Sequence, residues 1–331
     1  MENGVLFHLF IYLLSNGCGF NNILRSPLLL HTMARFKPFT RRLFNLPKPP
    51  PPAYQKHHDL ASFLSYAEQT SLPQTASTYI GTHYEYTVLN TLRRFAFLLY
   101  RVGGREDAGV DLVGTWFLPA RHRRQRMLRV FVQCKALRTK LGPNLVRELE
   151  GTFTTLLPRI NSNDDDDDGR KDEVGILIST REATKGVRDA MATSAFPLFW
   201  MMVQRNGTLQ QALWNARVEE LGLGLLGVET RYSPSPEKGK SSSIVLTWDG
   251  HDLPDMDQVE DTIAAREAEW LASWGDSRAV SSDAGKCALL DIVEKFFPDA
   301  RIEGGKSSEL SDHDRARILD ELNGRLKDLN Q

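Results

Sequence analysis

Residues 100–135, YRVGGREDAGVDLVGTWFLPARHRRQRMLRVFVQCK, decide the fold. Two short apolar runs lie inside this stretch, 110–117 and 127–132, each rich in β-branched or aromatic residues and bounded by glycine, proline or a charged loop. That is the composition of strands. Paired as an antiparallel hairpin, they bring Asp111, at the start of the first strand, to the same end as Gln133 and Lys135, at the end of the second. Side chains alternate along a strand, so Gln133 and Lys135 share a face and Cys134 points to the other. An acid, an amide oxygen and an ammonium then converge. Metal-dependent phosphodiester cleavage needs such a set: hard oxygen ligands for Mg²⁺, an open position for water, and a cation beside the scissile phosphate.

The flanking sequence extends this hairpin into an ordered series. Residues 82–99 read as a helix with Leu89, Leu92, Ala96 and Leu99 on one stripe and Glu85 at its head. Thr82 and Glu85 also form the S/T-x-x-E pattern of a capping box, a purely local role for that acid. Residues 100–102 read as a first strand, and Gly103 and Gly104 mark a tight turn or a close approach to a ligand. Asp107 is expected to orient this loop rather than bind metal. The hairpin loop carries Arg121, Arg123, Arg124 and Arg126, and Arg138 continues the same sign past the second strand. Beside a phosphodiester site these guanidinium groups would clamp a nucleic-acid backbone. Pro143 opens a helix with Leu145, Leu149 and Phe153 on its apolar face. A near-continuous apolar strand at 174–179, a helix at 184–194 and a strand at 197–203 follow. The order is α-β-β-β-α-β with a further α-β.

The pattern GG-x-x-D-x-G-V-D followed by V-Q-C-K resembles the core of the PD-(D/E)XK nucleases, in the branch similar to Mrr-type restriction endonucleases. Within that branch the chain resembles the fungal mitochondrial proteins required for respiratory growth, most strongly over 76–203. The resemblance implies an α/β, restriction-endonuclease-like core with a mixed central sheet. It also implies that Asp111 and Gln133, with the backbone carbonyl of Cys134, hold Mg²⁺, that Lys135 positions the attacking water and stabilises charge on the phosphate, and that Glu85 assists. The second ligand of the signature is usually Asp or Glu. Gln133 supplies one neutral oxygen instead, which lowers the expected metal affinity.

Bulk composition narrows the function classes. Forty-one Lys and Arg against 42 Asp and Glu leave a net charge of −1 over 331 residues, so any nucleic-acid binding must use a local patch. Three scattered cysteines argue against a disulfide framework or a zinc site. His57 and His58 sit beside a proline run and read as solvated linker.

Between Glu2 and Asp59 there is no acidic residue, while Arg25, Arg35, Lys37, Arg41, Arg42 and Lys48 supply positive charge, which is transit-peptide composition. The apolar run 5–14 is too short to span a bilayer, and no membrane span is expected. A second leader is legible from Met33, with Phe36, Phe39, Leu43 and Phe44 opposite the cations. A surface amphipathic helix is the plainer reading of the same residues.

The expected divisions are a transit peptide at 1–48, a proline-rich linker and short helix at 49–75, the nuclease-like domain at 76–205, and a hairpin and mainly helical region at 206–331. That last region starts with an expected helix at 209–221. It continues as a hairpin interrupted by a loop at 233–242, and then as helices at 256–274, 286–297 and 311–329. The acidic run Asp164 to Asp168 reads as a solvated insertion. The functional expectation is a mitochondrial matrix protein that cleaves DNA with Mg²⁺, with RNA left open as a substrate. The rival keeps the fold and loses the reaction: a nucleic-acid-binding or assembly factor. Nothing in the sequence sets an oligomeric state.

Overall fold

The structure is a computed structural model and describes residues 36–50, 56–102, 109–119, 127–161, 172–235, 239–275, 282–296 and 311–329. At its centre is a six-stranded mixed sheet whose spatial order follows the chain. Strands β1 (Phe97–Arg101), β2 (Leu112–Trp116) and β3 (Leu128–Lys135) form a meander in which β2 pairs antiparallel with both of its neighbours. β4 (Glu173–Ser179) and β5 (Leu198–Val203) then continue parallel to β3. An antiparallel β6 (Leu209–Trp214) closes the far edge.

The parallel steps need crossover helices. α4 (Asn144–Asn161) joins β3 to β4 and α5 (Lys185–Thr193) joins β4 to β5. Both cover the same face, burying Leu149, Phe153, Val187 and Met191 against Leu177 and Trp200. Gly175 lies so close beneath this layer that a Cβ there would meet the Phe153 ring at 2.3 Å. The opposite face carries Val130, Val132, Ile176 and Phe199, all fully buried, with Phe97 stacked on Trp116 at 4.3 Å. α3 (Ser77–Arg93) packs there on β1 and β3, and its Tyr84 hydroxyl donates to the Val203 carbonyl at 2.7 Å. Both faces are covered, as a sheet with parallel strands requires.

Ahead of the sheet, α1 (Pro38–Leu43) and α2 (Leu60–Gln69) precede α3. After β6 come a short turn of helix, α6 (Ala216–Val218), and the hairpin of β7 (Leu226–Ser235) and β8 (Gly239–Trp248) with a short β9 (His251–Asp252). Helices α7 (Met256–Ala272), α8 (Asp283–Phe296) and α9 (Asp312–Leu329) end the chain around their own apolar cluster. No helix among the described residues is long and apolar enough to cross a membrane.

Four expectations are corrected. The helix expected at 209–221 holds only in its second half: Leu209–Trp214 is strand β6, and helical turns follow at Ala216–Val218 and, as a π-turn, at Glu219–Leu223. The turn that makes β6 a strand was written in Asn206-Gly207: Gly207 takes φ +81 and its N–H donates to the Gln204 carbonyl at 2.9 Å, returning the chain antiparallel to β5. The helix expected at 82–99 lies earlier, at Ser77–Arg93, because Ala96 at φ +65 ends it and Phe97–Leu99 pair with β2. The hairpin of β7 and β8 keeps its register to Ser235 opposite Gly239, well into the segment expected to be loop. His57 is not solvated linker. It packs edge-on against Phe63 at 5.0 Å, and its Nδ1 lies 2.8 Å from the Tyr86 hydroxyl.

Candidate functional site

The β2–β3 register fixes the site. Leu112 pairs with Val132, and one step further the Asp111 N–H donates to the Val132 carbonyl at 2.9 Å. The Asp111 carboxylate then accepts from the Cys134 N–H at 2.6 Å. In an extended strand a residue's N–H and C=O point towards the same neighbour. Cys134 therefore aims its carbonyl to the side of Asp111, past the end of β2.

Gln133 and Lys135 share the face covered by α4, as alternation requires, and one residue of that helix engages both. Glu148 Oε1 accepts from Gln133 Nε2 at 2.6 Å and from Lys135 Nζ at 2.9 Å. Gln133 is 1% exposed, and its other amide atom, Oε1, is buried and accepts no hydrogen bond from the protein. A carboxylate takes the amide's N–H end, so Glu148 settles which way the amide faces. The oxygen is left turned elsewhere, and a buried acceptor without a donor costs about 1–3 kcal/mol. Gly109 seals this corner at φ +83, where a Cβ would lie 3.1 Å from Gln133 Nε2 and 3.7 Å from Glu148 Oε1.

Glu85 is placed differently. It sits inside α3 rather than at its head, and Ala76 is the residue that caps the helix, so no capping box forms. Its carboxylate is ion-paired to Arg101, with both side chains largely buried. Arg101 pairs with Leu112 in the register and so belongs to the α3 face, behind the sheet from Gln133 and Lys135. Cys134 also faces that side. Burial first, then the Asp111 and Glu85 charges, push its thiol well up, which removes it as a nucleophile near neutral pH.

The carboxyl ends of β3, β4 and β5 form a basic rim next to Lys135. Arg138, Lys140 and Arg181 line a cavity of about 340 Å³ with Glu182 and Met202. Arg181 Nε donates to the Arg138 carbonyl at 2.9 Å, and Lys140 is paired with Glu182 at 3.2 Å. Open α/β sheets place ligands at such strand ends. Arg121, Arg123, Arg124 and Arg126 lie outside the described residues, as do Gly103, Gly104, Asp107 and the acidic run at 164–168.

The donors suit a hard cation. Among the described residues no three His, Cys, Asp or Glu side chains cluster as a metal site would require. This end of β3 offers the Asp111 carboxylate, bonded to the Cys134 N–H, the Gln133 Oε1 that meets no protein donor, and the Cys134 carbonyl, oxygen types that Mg²⁺ takes. The orphaned Gln133 oxygen fits such an ion, because a cation would satisfy it.

Sequence reasoning missed Glu148, Gly109, Arg101 and Arg181. A signal existed for the first: Glu148 stands three residues after Leu145 and one before Leu149, so a carboxylate interrupts the helix's apolar stripe.

The fold and site define a mixed α/β protein with an acid, an amide and a lysine at one end of its sheet. The family model described as Required for respiratory growth protein 7 matches residues 76–127 and 120–232. An uncharacterized mitochondrial protein of Schizosaccharomyces pombe is 30% identical over 163 residues, 48% of this chain and 60% of that protein. Required for respiratory growth protein 7, mitochondrial, of Saccharomyces cerevisiae is 26% identical over 179 residues, 42% of this chain and 71% of that one. Its Zygosaccharomyces rouxii counterpart is 27% identical over 186 residues, 44% and 74% respectively. No solved structure matches the chain. Over residues 76–232, which hold most of its α/β core, the chain is similar to the Required for respiratory growth protein 7 family.

Proposed function

We propose that this protein is a mitochondrial matrix nuclease of restriction-endonuclease-like fold that cleaves DNA with Mg²⁺ and serves respiratory growth through genome maintenance. The observation that carries the reading is the buried Gln133 Oε1, turned away from Glu148 and unmet by any protein donor, one residue before the Cys134 whose N–H binds the Asp111 carboxylate. The mitochondrial and respiratory parts rest on the names of the relatives.

Asp111, Gln133 Oε1 and the Cys134 carbonyl would hold Mg²⁺. The ion would supply Lewis-acid stabilisation of the charge that develops on the phosphate. Lys135 presents an ammonium at the same sheet end to orient water and to neutralise a non-bridging oxygen. Glu148 is a positioning residue that fixes the Gln133 amide and the Lys135 ammonium through one oxygen. Glu85 acts at a remove, holding Arg101 and with it the end of β1. The rim of Arg138, Lys140 and Arg181 and the arginines at 121–126 grip the backbone, since phosphate contacts supply most of the affinity.

The test is Mg²⁺-dependent nicking of supercoiled plasmid by the purified protein, with Asp111→Ala and Lys135→Ala as controls. Nicking lost in both variants, with DNA retention in a gel shift unchanged, is the expected result. DNA binding without nicking in the unaltered protein would replace the nuclease by a nucleic-acid-binding or assembly factor. Cleavage of RNA in place of DNA would move the substrate class and keep the site.

A further inference from the structure

The segment whose composition suggests a leader is built into the folded protein. In α1, Phe39 and Leu43 are 2% and 3% exposed, packed against Trp270 of α7, Leu289 and Ile292 of α8 and Ile318 of α9. The Phe39 and Trp270 rings lie 5.8 Å apart. The polar side chains of the segment are engaged as well. Thr40 Oγ1 donates to Glu267 at 2.6 Å, Arg42 is ion-paired to Asp291 and Glu294, and Lys37 Nζ lies 3.4 Å from Asp283. Arg41 reaches the other way: Nη2 donates to the Tyr100 hydroxyl of β1 at 2.7 Å and Nη1 to the Pro47 carbonyl at 2.6 Å. Phe36 lies against Phe117, after β2, at 6.4 Å.

The amphipathic pattern thus has a second physical meaning. Its apolar face fills the core of the helical module, and its cations meet the acidic side of α8. Its remaining contacts reach the β1–β2 end of the sheet. Removing residues 1–48 would take two nearly fully buried side chains and a joint between two parts of the fold out of the mature chain.

We infer that the import leader is cleaved N-terminal to Phe36, and that residues 36–46 stay in the mature protein as a clasp between the α/β core and the C-terminal helices. The cleavage is a hydrolysis by a leader-removing peptidase: water adds across one peptide bond, leaving a carboxylate on the leader and an amine on the mature chain. The processing half rests on the mitochondrial reading above, and the clasp half does not. A peptidase needs an extended, accessible segment, so the helix that docks Phe39 and Leu43 protects every bond from 37 to 46 once the chain has folded.

Two experiments on the full chain test the two halves. The precursor is expressed in a fungal host, mitochondria are isolated, and the mature N-terminus is read by terminal labelling and mass spectrometry. A terminus at or upstream of residue 36 is expected, and one between 37 and 49 on soluble protein overturns the inference. Precursor that stays outside mitochondria overturns the processing half together with the localisation, and melting then decides the clasp alone. In recombinant protein, Phe39→Ala with Leu43→Ala should lower the melting temperature by at least about 8 °C, given the size of paired core truncations. Where that double variant does not fold, Arg42→Glu serves: proteolysis within 36–46 should quicken several-fold and slow again when Glu294→Arg is added. Unchanged melting of the double variant, or unchanged proteolysis of Arg42→Glu, refutes the clasp.

Discussion

Replacing Gln133 by Glu puts the proposed site under its sharpest test. In the native pair Gln133 Nε2 donates to Glu148 Oε1 at 2.6 Å, and residue 133 is 1% exposed. Gln133→Glu sets two carboxylates at that separation with almost no water between them. Two such groups cannot both ionise, and one takes up a proton shared by the pair. A rise of two to three pKa units costs roughly 3–4 kcal/mol once the pH exceeds the raised value, at about 1.4 kcal/mol per unit. Lys135 Nζ, 2.9 Å from Glu148, offsets part of this and favours the lower figure. The sign follows from proton counting. An acid with a raised folded pKa binds more protons when folded, so the variant loses stability as pH climbs from about 4.3 to the raised value and levels off above it. At pH 8 in a chelator it should melt roughly 6–12 °C below the native protein. Mn²⁺ or Mg²⁺ should recover much of the loss, because the new carboxylate is a better ligand than the amide. The exchanged pair, Gln133→Glu with Glu148→Gln, restores one amide and one carboxylate and should recover stability without metal. Melting within about 1 °C of native in chelator (under half a kcal/mol), or an exchanged pair no more stable than the single variant, would refute the geometry.

Gly109→Ala should cost about 1–3 kcal/mol from the strain of φ +83 alone. It should depress nicking further than melting, because its Cβ presses on the Gln133 amide; equal losses would remove Gly109 from the site. His57 is held below the usual histidine range, by burial first and then by the Arg101 and His58 charges. Its lowered folded pKa gives stability that is full above the unfolded value near 6.5 and lost as pH falls below it. His57→Phe should therefore flatten the pH dependence of unfolding just below that value, and an unchanged slope would sink the assignment. Arg138→Ala with Arg181→Ala should weaken DNA binding and reduce the salt slope by about one to two. The same slope in the variant would show that the rim does not touch phosphate.

Much of the sheet was legible because its signals are short-range. Strands β2 to β5 appear as apolar runs with clear boundaries, and Pro143 and Thr184 mark helix starts that the structure keeps, with Thr184 Oγ1 accepting from the Val187 N–H at 3.3 Å. The edges were harder. LQQALW carries apolar residues at helical spacing, and only the Asn206-Gly207 turn ahead of it says that the chain returns as a strand. Leu89, Leu92, Ala96 and Leu99 also fit a helix, yet the run FLLYR is claimed by its pairing with β2, a partner that no local window includes. The burial of His57 is invisible to a local window for the same reason, since the aromatic residues around it come from α2 and α3.

The site shows the limit most clearly. Asp111, Gln133 and Lys135 could be placed together because alternation and antiparallel pairing are enough to do it. Glu148 could not, since its meeting with two of them depends on how the crossover helix lands on the sheet. Its arrival changes the meaning of the neutral side chain at 133. Judged by strand residues alone, Gln133 in place of an acid looks like a lost charge. In the folded protein a carboxylate stands 2.6 Å from the amide and 2.9 Å from the lysine, delivered by α4 rather than by β3. The charge at this end of the sheet is then supplied from the helix, and the amide is left to present its oxygen. A carboxylate at 133 would have to give up either Glu148 or its own ionisation. Glutamine is the side chain that can accept on one side and donate to Glu148 on the other, so its presence is a consequence of Glu148 and not a sign by itself that the reaction has been lost.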